Sequence, residues 1–346
     1  MTSRATLGEV RIALGEVCTN QGFKSLIPFK GVDGRFLFYQ IGLNKERYKG
    51  LGIGSTFLEV NKRDTERFEV LVAPEREQRR IAEVLSTLDD AIEQTEVLIA
   101  KHQQIKAGLM HDLFTRGVTP GGHLRPTREQ APDLYKESPL GWIPKEWEVK
   151  PLSAVVEFLD GKRVPLKEDD RSKIPGHIPY YGASGIIDYI DKWLFDDELI
   201  LLGEDGENIV SRNLPLAFKV NGKCWVNNHA HVLKPKAGHS ISYWTEQLEW
   251  KDYASLTSGS AQPKITQGKL TNMMVVVPSL AEQKVISKRA EYMADHLAAE
   301  KTFWGKLKLQ KIGLMHDLLT GRVRVRPHPG PLPAGEGENR KESTHA

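Results

Sequence analysis

The chain has 346 residues, more than one hydrophobic core usually organises, so two or more domains are expected. Hydrophobic content of 40% and charge of 27% suit a soluble globular protein, and no run reaches the ~18 apolar residues that cross a bilayer. A net charge of +3 leaves nucleic-acid binding to a local patch, and two cysteines, Cys18 and Cys224, exclude a disulfide framework and fit a reducing cytoplasm.

The opening residues, MTSRATLGEVRI, hold no apolar signal core, so export is not expected. Residues 1–74 read as a small, partial domain. Its cluster GLGIGS (Gly50–Ser55) imitates a glycine-rich phosphate loop, but no lysine follows, and a turn is the reading preferred. The run FEVLVAP closes at Pro74, since proline forces the residue before it into extended geometry. Residues 75–117 then predict one long helix. Ile81, Leu85, Leu88, Ile92, Thr95, Ile99, His102, Lys106, Leu109 and Leu113 follow a 4-3-4-3 spacing, which is a heptad seam. Residues 118–139 are rich in proline, glycine and charge and read as a linker. From 140 to 279, short apolar runs alternate with turn signals, predicting a mixed, mainly β domain with one helix near Ile241–Ser255. After MMVVVP a second helix, 280–322, places Ile286, Ala290, Met293, Leu297, Glu300, Trp304, Leu307, Lys311, Leu314 and Leu318 on an equivalent seam. The tail, 323–346, is rich in proline and glycine and predicts disorder.

The hexapeptide GLMHDL occurs at Gly108–Leu113 and again at Gly313–Leu318, 205 residues later. At that offset Gly54-Ser55 falls on Gly259-Ser260, Val70 and Val72 on Val275 and Val277, Glu77-Gln78 on Glu282-Gln283, and Ile81 on Ile286. A period this long is a duplicated domain followed by a duplicated helix, not a solenoid. Each helix would be roughly 60 Å long at 1.5 Å per residue. A stripe of that length outreaches a single small domain, so the two helices are expected to pair with each other as a coiled coil. Two amphipathic helices packed each on its own domain remain the alternative. At the 205 offset the first domain lacks the part matching Leu140 to about Leu199.

Catalytic signatures are missing. There is no P-loop, no cofactor loop and no base-flipping N-P-P-[YF] box of a methyltransferase. The acidic GEDGEN (Gly203–Asn208) lacks a nuclease lysine and reads as a solvated turn. Cys224, His229 and His231 raise the question of zinc, but a structural site takes four ligands and no fourth is evident. Packing in a sheet is preferred, with Cys18 and Cys224 as matching core positions of the two copies. No catalytic or metal residue is predicted.

The phrase LGWIPKEWEVKPLSAVVEF, the P-x-x-E-Q box opening PEREQRRIAEVL with its looser copy PSLAEQKVIS, and the pair GLMHDLFTRGV and GLMHDLLTGRV resemble, in that order, type I restriction–modification specificity subunits. YYGASGI and GSAQPKIT resemble further parts of their target-recognition domains. The resemblance covers about residues 5–323. It implies an α+β chain: two mixed, mainly β target-recognition domains joined by two antiparallel coiled-coil helices. The first domain is incomplete, because RATLGEVRIALGEVCTNQGFKSLIP resembles the middle of such a domain. A mis-assigned start, a deliberate fragment, a decayed gene and a naturally half-sized gene all remain open, and the first half-site reader is suspect in each case.

The resemblance further implies a non-catalytic DNA-recognition subunit in the cytoplasm. It binds a bipartite target in double-stranded DNA and docks modification (methyltransferase) subunits, two by symmetry, with motor/nuclease restriction subunits joining indirectly. No cofactor is expected on this chain; S-adenosylmethionine, ATP and Mg²⁺ belong to partner subunits. The alternative is a decayed or half-sized subunit that docks partners without specific reading. A free-standing enzyme is the third class weighed, and methylation or cleavage by the lone chain would mark it. DNA-binding candidates sit in loops of the complete domain: Lys162 and Arg163, Tyr180, Tyr181 and Ser184, Arg212 and Asn213, Asn227 and Asn228, and Lys264. Arginine pairs with guanine and asparagine with adenine, while lysine more often holds phosphate.

Overall fold

The computed structural model describes residues 1–54, 58–259 and 262–325. Two compact units emerge, one of residues 1–99 with 300–325 and one of residues 100–299. The predicted tail from residue 326 onward, and Ser55 and Ser260 of the repeat, lie outside the described residues. Among the described residues, four helices have ten residues or more: α1 (Gly34–Leu43), α2 (Glu75–Thr115), α3 (Ile241–Trp250) and α4 (Leu280–Leu319). None is long and apolar enough to cross a membrane.

The long helices α2 and α4 pair antiparallel. In the first unit Ile81 and Leu85 share a core with Leu318 and Leu319, Lys311 pairs with Asp89, and the Trp304 indole donates to Glu96 at 2.9 Å. In the second unit Met110, Leu113 and Phe114 share a core with Ile286 and Ala290. Numbers rise along one helix as they fall along the other. Every seam position, Thr95, His102, Lys106, Glu300 and Lys311 included, is buried or half-buried. Val84, Val97, Leu98 and Ile105, equally apolar but off the seam, stay 40%, 65%, 42% and 47% exposed. Among the Val, Ile and Leu residues of α2, heptad position, not residue type, therefore decides burial.

The P-x-x-E-Q boxes fold alike in both units. The Gln78 amide accepts from the Asp33 N–H at 2.8 Å and donates to the Ala73 carbonyl at 2.7 Å. Gln283 does the same with the Ser240 N–H at 2.9 Å and the Pro278 carbonyl at 2.9 Å. Asp33 and Ser240 are the N-caps of α1 and α3, so each glutamine ties the start of a long helix to the start of a short one. Each neighbouring glutamate grips an arginine beyond the end of the other long helix: Glu77 with Arg324 at 2.7 Å, and Glu282 with Arg125. The repeated hexapeptide has the matching task. Phe114, just past its first copy, packs on Tyr243 of α3, and Leu314, Met315 and Leu318 of its second copy pack in the core that holds Phe36 and Tyr39 of α1.

The second unit carries the strands: β1 (Tyr135–Ser138), β2 (Gly141–Pro144), β3 (Glu148–Pro151), β4 (Val156–Phe158), β5 (Pro175–Gly182), β6 (Gly185–Ile190), β7 (Phe195–Gly203), β8 (Ala217–Val226), β9 (Ala230–Pro235), β10 (Thr257–Ser258), β11 (Lys264–Ile265) and β12 (Met274–Val277). Six of them form one sheet in the order β4-β9-β7-β8-β5-β6. Central β7 reads ELILLG because both its faces are covered. Ile200 and Leu202 face the core shared with α3, while Leu199 and Leu201 face a second core with Leu159, Val220, Cys224 and Val232. Separately, β12 pairs antiparallel with β3.

In the first unit the described residues form no paired strands, only isolated bridges such as Thr2–Phe23 and Arg4–Glu59. Cys18 is exposed, not a core position matching the buried Cys224. The segment 118–139 differs from a linker. Val118, Arg125 and Tyr135 are buried, and β1 pairs with β2. Composition missed this because three anchors suffice to pack an otherwise polar stretch. Gly117 shows how closely it packs: at φ +63 a Cβ there would lie 2.3 Å from the Trp147 ring.

Candidate nucleic-acid interface

Five loops of the second unit meet at one place. The Asn227 N–H donates to the Tyr181 carbonyl at 3.1 Å, the Glu204 N–H to His229 at 2.8 Å, and the Gly206 N–H to Pro263 at 3.1 Å. A Cβ on Gly203 would lie 2.8 Å from the Ala183 oxygen, so only glycine allows that approach. The segments that follow Leu159, Gly182, Gly203 and Val226, with Pro263 and Lys264, thus converge; they carry six of the ten predicted contacts, and Tyr180 and Tyr181 lie on the adjoining β5.

Beneath them lies an ionic cluster. Glu204 accepts from Arg163 at 2.6 Å and Lys264 at 3.0 Å. Asp160 faces His231 Nδ1 at 2.6 Å and accepts from the Val232 N–H at 2.8 Å. His231 Nε2 lies 2.9 Å from the Ile265 carbonyl, and the Arg163 guanidinium adds a bond to the Ala230 carbonyl at 2.8 Å. Burial acts to raise the Glu204 pKa, but the bonds from Arg163 and Lys264 outweigh it and hold the carboxyl below its ordinary 4.5. Buried charges need partners of this kind, since an unpaired one costs several kcal/mol.

This arrangement corrects several sequence-based expectations. Arg163 is an internal clamp with a side chain 13% exposed, not the free loop cation expected. Tyr180 is 1% exposed, its hydroxyl accepting from the Leu166 N–H at 2.9 Å. Tyr181 packs on Phe218, with ring centroids 5.9 Å apart. Asn227 is buried and accepts from the His229 N–H at 2.8 Å. Arg212 lies away from the cluster, held by the Glu249 carbonyl and carboxylate. GEDGEN is not a solvated turn: Glu204 is buried, and Asp205 meets His229 Nδ1 at 2.8 Å. Cys224, His229 and His231 do not meet as ligands. Cys224 sits in the apolar second core, where burial pushes its thiol up to about 11.

Lys162, Ser184, Asn213 and Asn228 remain exposed, and Lys264 reaches solvent from its bond to Glu204. Asp160, Glu204 and His231 went unremarked as a set. Their signal was weak but present: Glu204 directly follows the apolar run LILLG, and His231 sits inside the buried run AHVL.

The family described as "Type I restriction modification DNA specificity domain" matches residues 1–101 and 144–302. The type I restriction enzyme MjaVIII specificity subunit of Methanocaldococcus jannaschii is 25% identical over 325 residues, covering 86% of this chain and 72% of that protein. A putative type I restriction enzyme specificity subunit of Haemophilus influenzae is 33% identical over 143 residues, 41% of this chain and 36% of that one. The crystal structure of the type I restriction–modification S subunit from M. genitalium aligns with a TM-score of 0.63 and 18% identity, over 92% of this chain and 81% of that one, a likeness of fold.

Proposed function

Because the chain belongs to the family of type I restriction–modification DNA specificity domains, it is a specificity component of such a system, and we propose that it reads double-stranded DNA through the loop cluster of the second unit. The convergence of five loops on one buried ionic frame carries this reading. The frame fixes backbone positions, while Lys162, Ser184, Asn228 and Lys264 stay at the surface where phosphate and base edges can be met. Fixed loops are what sequence reading requires, because a misplaced donor discriminates nothing. Asn213 and Arg212 belong to a second, separate loop.

The same proposal includes a bipartite target, two docked modification subunits, and restriction subunits reached through them. Gly108 and His111 of one hexapeptide are exposed, and so are Gly313 and His316 of the other. Identity at exposed positions is not demanded by packing, and one partner surface used twice accounts for it. Chemistry, with S-adenosylmethionine, ATP and Mg²⁺, belongs to those partners, and the setting is the cytoplasm. The domain bounds proposed are 1–74, 75–117, 118–139, 140–279, 280–322 and 323–346, with 118–139 packed on the second unit.

A gel-shift series of the chain alone and with a modification subunit tests the proposal. Saturable binding that distinguishes a cognate from a scrambled duplex is expected. Docking of the subunit without any sequence preference would favour the second reading, a half-sized or decayed subunit. Leu14, Ile27 and Phe29, exposed at 100%, 86% and 87% in the first unit, are the observation that keeps it in play.

A further inference from the structure

The first unit presents an unpaired edge whose occupant is written in the second. The two frames match: Gln78 and Gln283 make the same two hydrogen bonds, and Glu77 and Glu282 each hold an arginine. The short helix Lys62–Glu66 matches Gln267–Thr271 residue for residue at the 205 offset. Residues 69–72 therefore occupy the place of β12.

In the second unit β12 is covered. Val276 pairs with Val149 and Val277 with Glu148, leaving them 8% and 7% exposed. Trp147, just ahead of β3, is fully buried and donates its indole N–H to Glu282 at 3.0 Å. In the first unit residues 69–72 have no strand partner among the described residues, and Leu71 and Val72 are 61% and 58% exposed. Glu77 spends one hydrogen bond per oxygen on Arg324 and receives the Val325 backbone as well, while a carboxylate can accept about four.

We propose that this face docks a polypeptide segment patterned like Tyr135–Pro151, which adds an antiparallel strand to residues 69–72 and lays a tryptophan N–H on Glu77. Strand addition suits it: main-chain bonds give affinity to an open edge, and side-chain pockets give specificity. An apolar edge left bare is a liability that folded proteins usually cover. The proposal is independent of DNA reading.

The probe is a synthetic peptide with the sequence of residues 135–152, titrated into the full chain and followed by calorimetry and amide hydrogen exchange. Saturable one-to-one binding is expected, with slowed exchange at residues 69–72 and none at 274–277, whose edge is taken. A peptide carrying the equivalent of W147F should bind about tenfold more weakly, as for a lost bond to a charged acceptor. No saturation at millimolar peptide, protection elsewhere, or equal affinity of the phenylalanine peptide would overturn it. So would a dimer of this chain in which the 69–72 amides are already protected, since a second copy would then be the occupant.

Discussion

Residues 69–72 and 274–277 have nearly the same sequence pattern, yet only the second stretch is a strand. Nearby, Gln78 and Gln283 behave identically in the two units. The difference lies in how far away the partner is. Each glutamine's bonds, and the helix that it starts, are satisfied by groups that both copies possess. A strand needs a neighbour, and β12 finds it in β3, over 120 residues earlier. Local signals fold in either context; a β edge is only as good as the segment supplied to pair with it.

The sharpest way to break that comparison is at Trp147. Trp147→Ala removes a fully buried ring and a hydrogen bond to Glu282. The expected loss is about 3–5 kcal/mol, confined to the second unit. Denaturant unfolding with hydrogen exchange on each unit measures it. Equal loss of protection in both units would show that they fold as one, and the contrast between them would fall.

Gln78→Leu and Gln283→Leu sharpen it from the other side. Each leaves an N–H and a carbonyl unpaired, at about 1–3 kcal/mol. If the two boxes are equivalent, the two losses agree within experimental error. A Gln78→Leu effect near zero would mean that the open edge has already loosened the first box.

Legibility followed the same division. The heptad seam was readable because it is local, and Lys311 on it finds Asp89 where a polar seam residue needs a partner. The loops that meet at the candidate interface were readable as turn-rich stretches. What failed was the role of individual charges within them. Arg163 in DGKRVP looks like a free cation, yet its partner Glu204 lies far along the chain, just after β7. Nothing local separates a buried guanidinium from a solvated one. Residues 118–139 misled for a related reason, because Arg125 of a polar stretch is buried by Glu282 from the distant helix.

The ionic frame gives a pH test that distinguishes the units. Glu204 is held below 4.5 when folded, so its contribution to stability is complete above about pH 4.5. That contribution is lost as pH falls through the depressed value. The second unit should therefore weaken on acidification below pH 4.5, and Glu204→Gln should flatten that dependence while lowering stability at neutral pH. Glu77 in the first unit is also held low, by its bond to Arg324, but that guanidinium lies largely in solvent and the effect should be smaller. An unchanged acid profile in Glu204→Gln would remove the frame from the account of the interface.

The smallest expected effect concerns the surface of that frame. Lys162 is exposed, and its neighbour Arg163 is clamped, so two adjacent cations should behave in different ways. Lys162→Ala should weaken binding to cognate and scrambled DNA alike and reduce the salt slope by about one unit, as for one lost phosphate contact. Arg163→Ala should leave Glu204 and Asp160 short of a partner and disturb the loops at Asn228 and Lys264. It should therefore lower discrimination between cognate and scrambled duplexes more than it lowers the salt slope. Titrations at several salt concentrations, with melting curves of both variants, separate a charge that touches DNA from one that holds the reader in shape. If Arg163→Ala instead reproduces the Lys162→Ala pattern with an unchanged melting temperature, the guanidinium leaves its clamp to meet phosphate, and the distinction between frame and surface is lost.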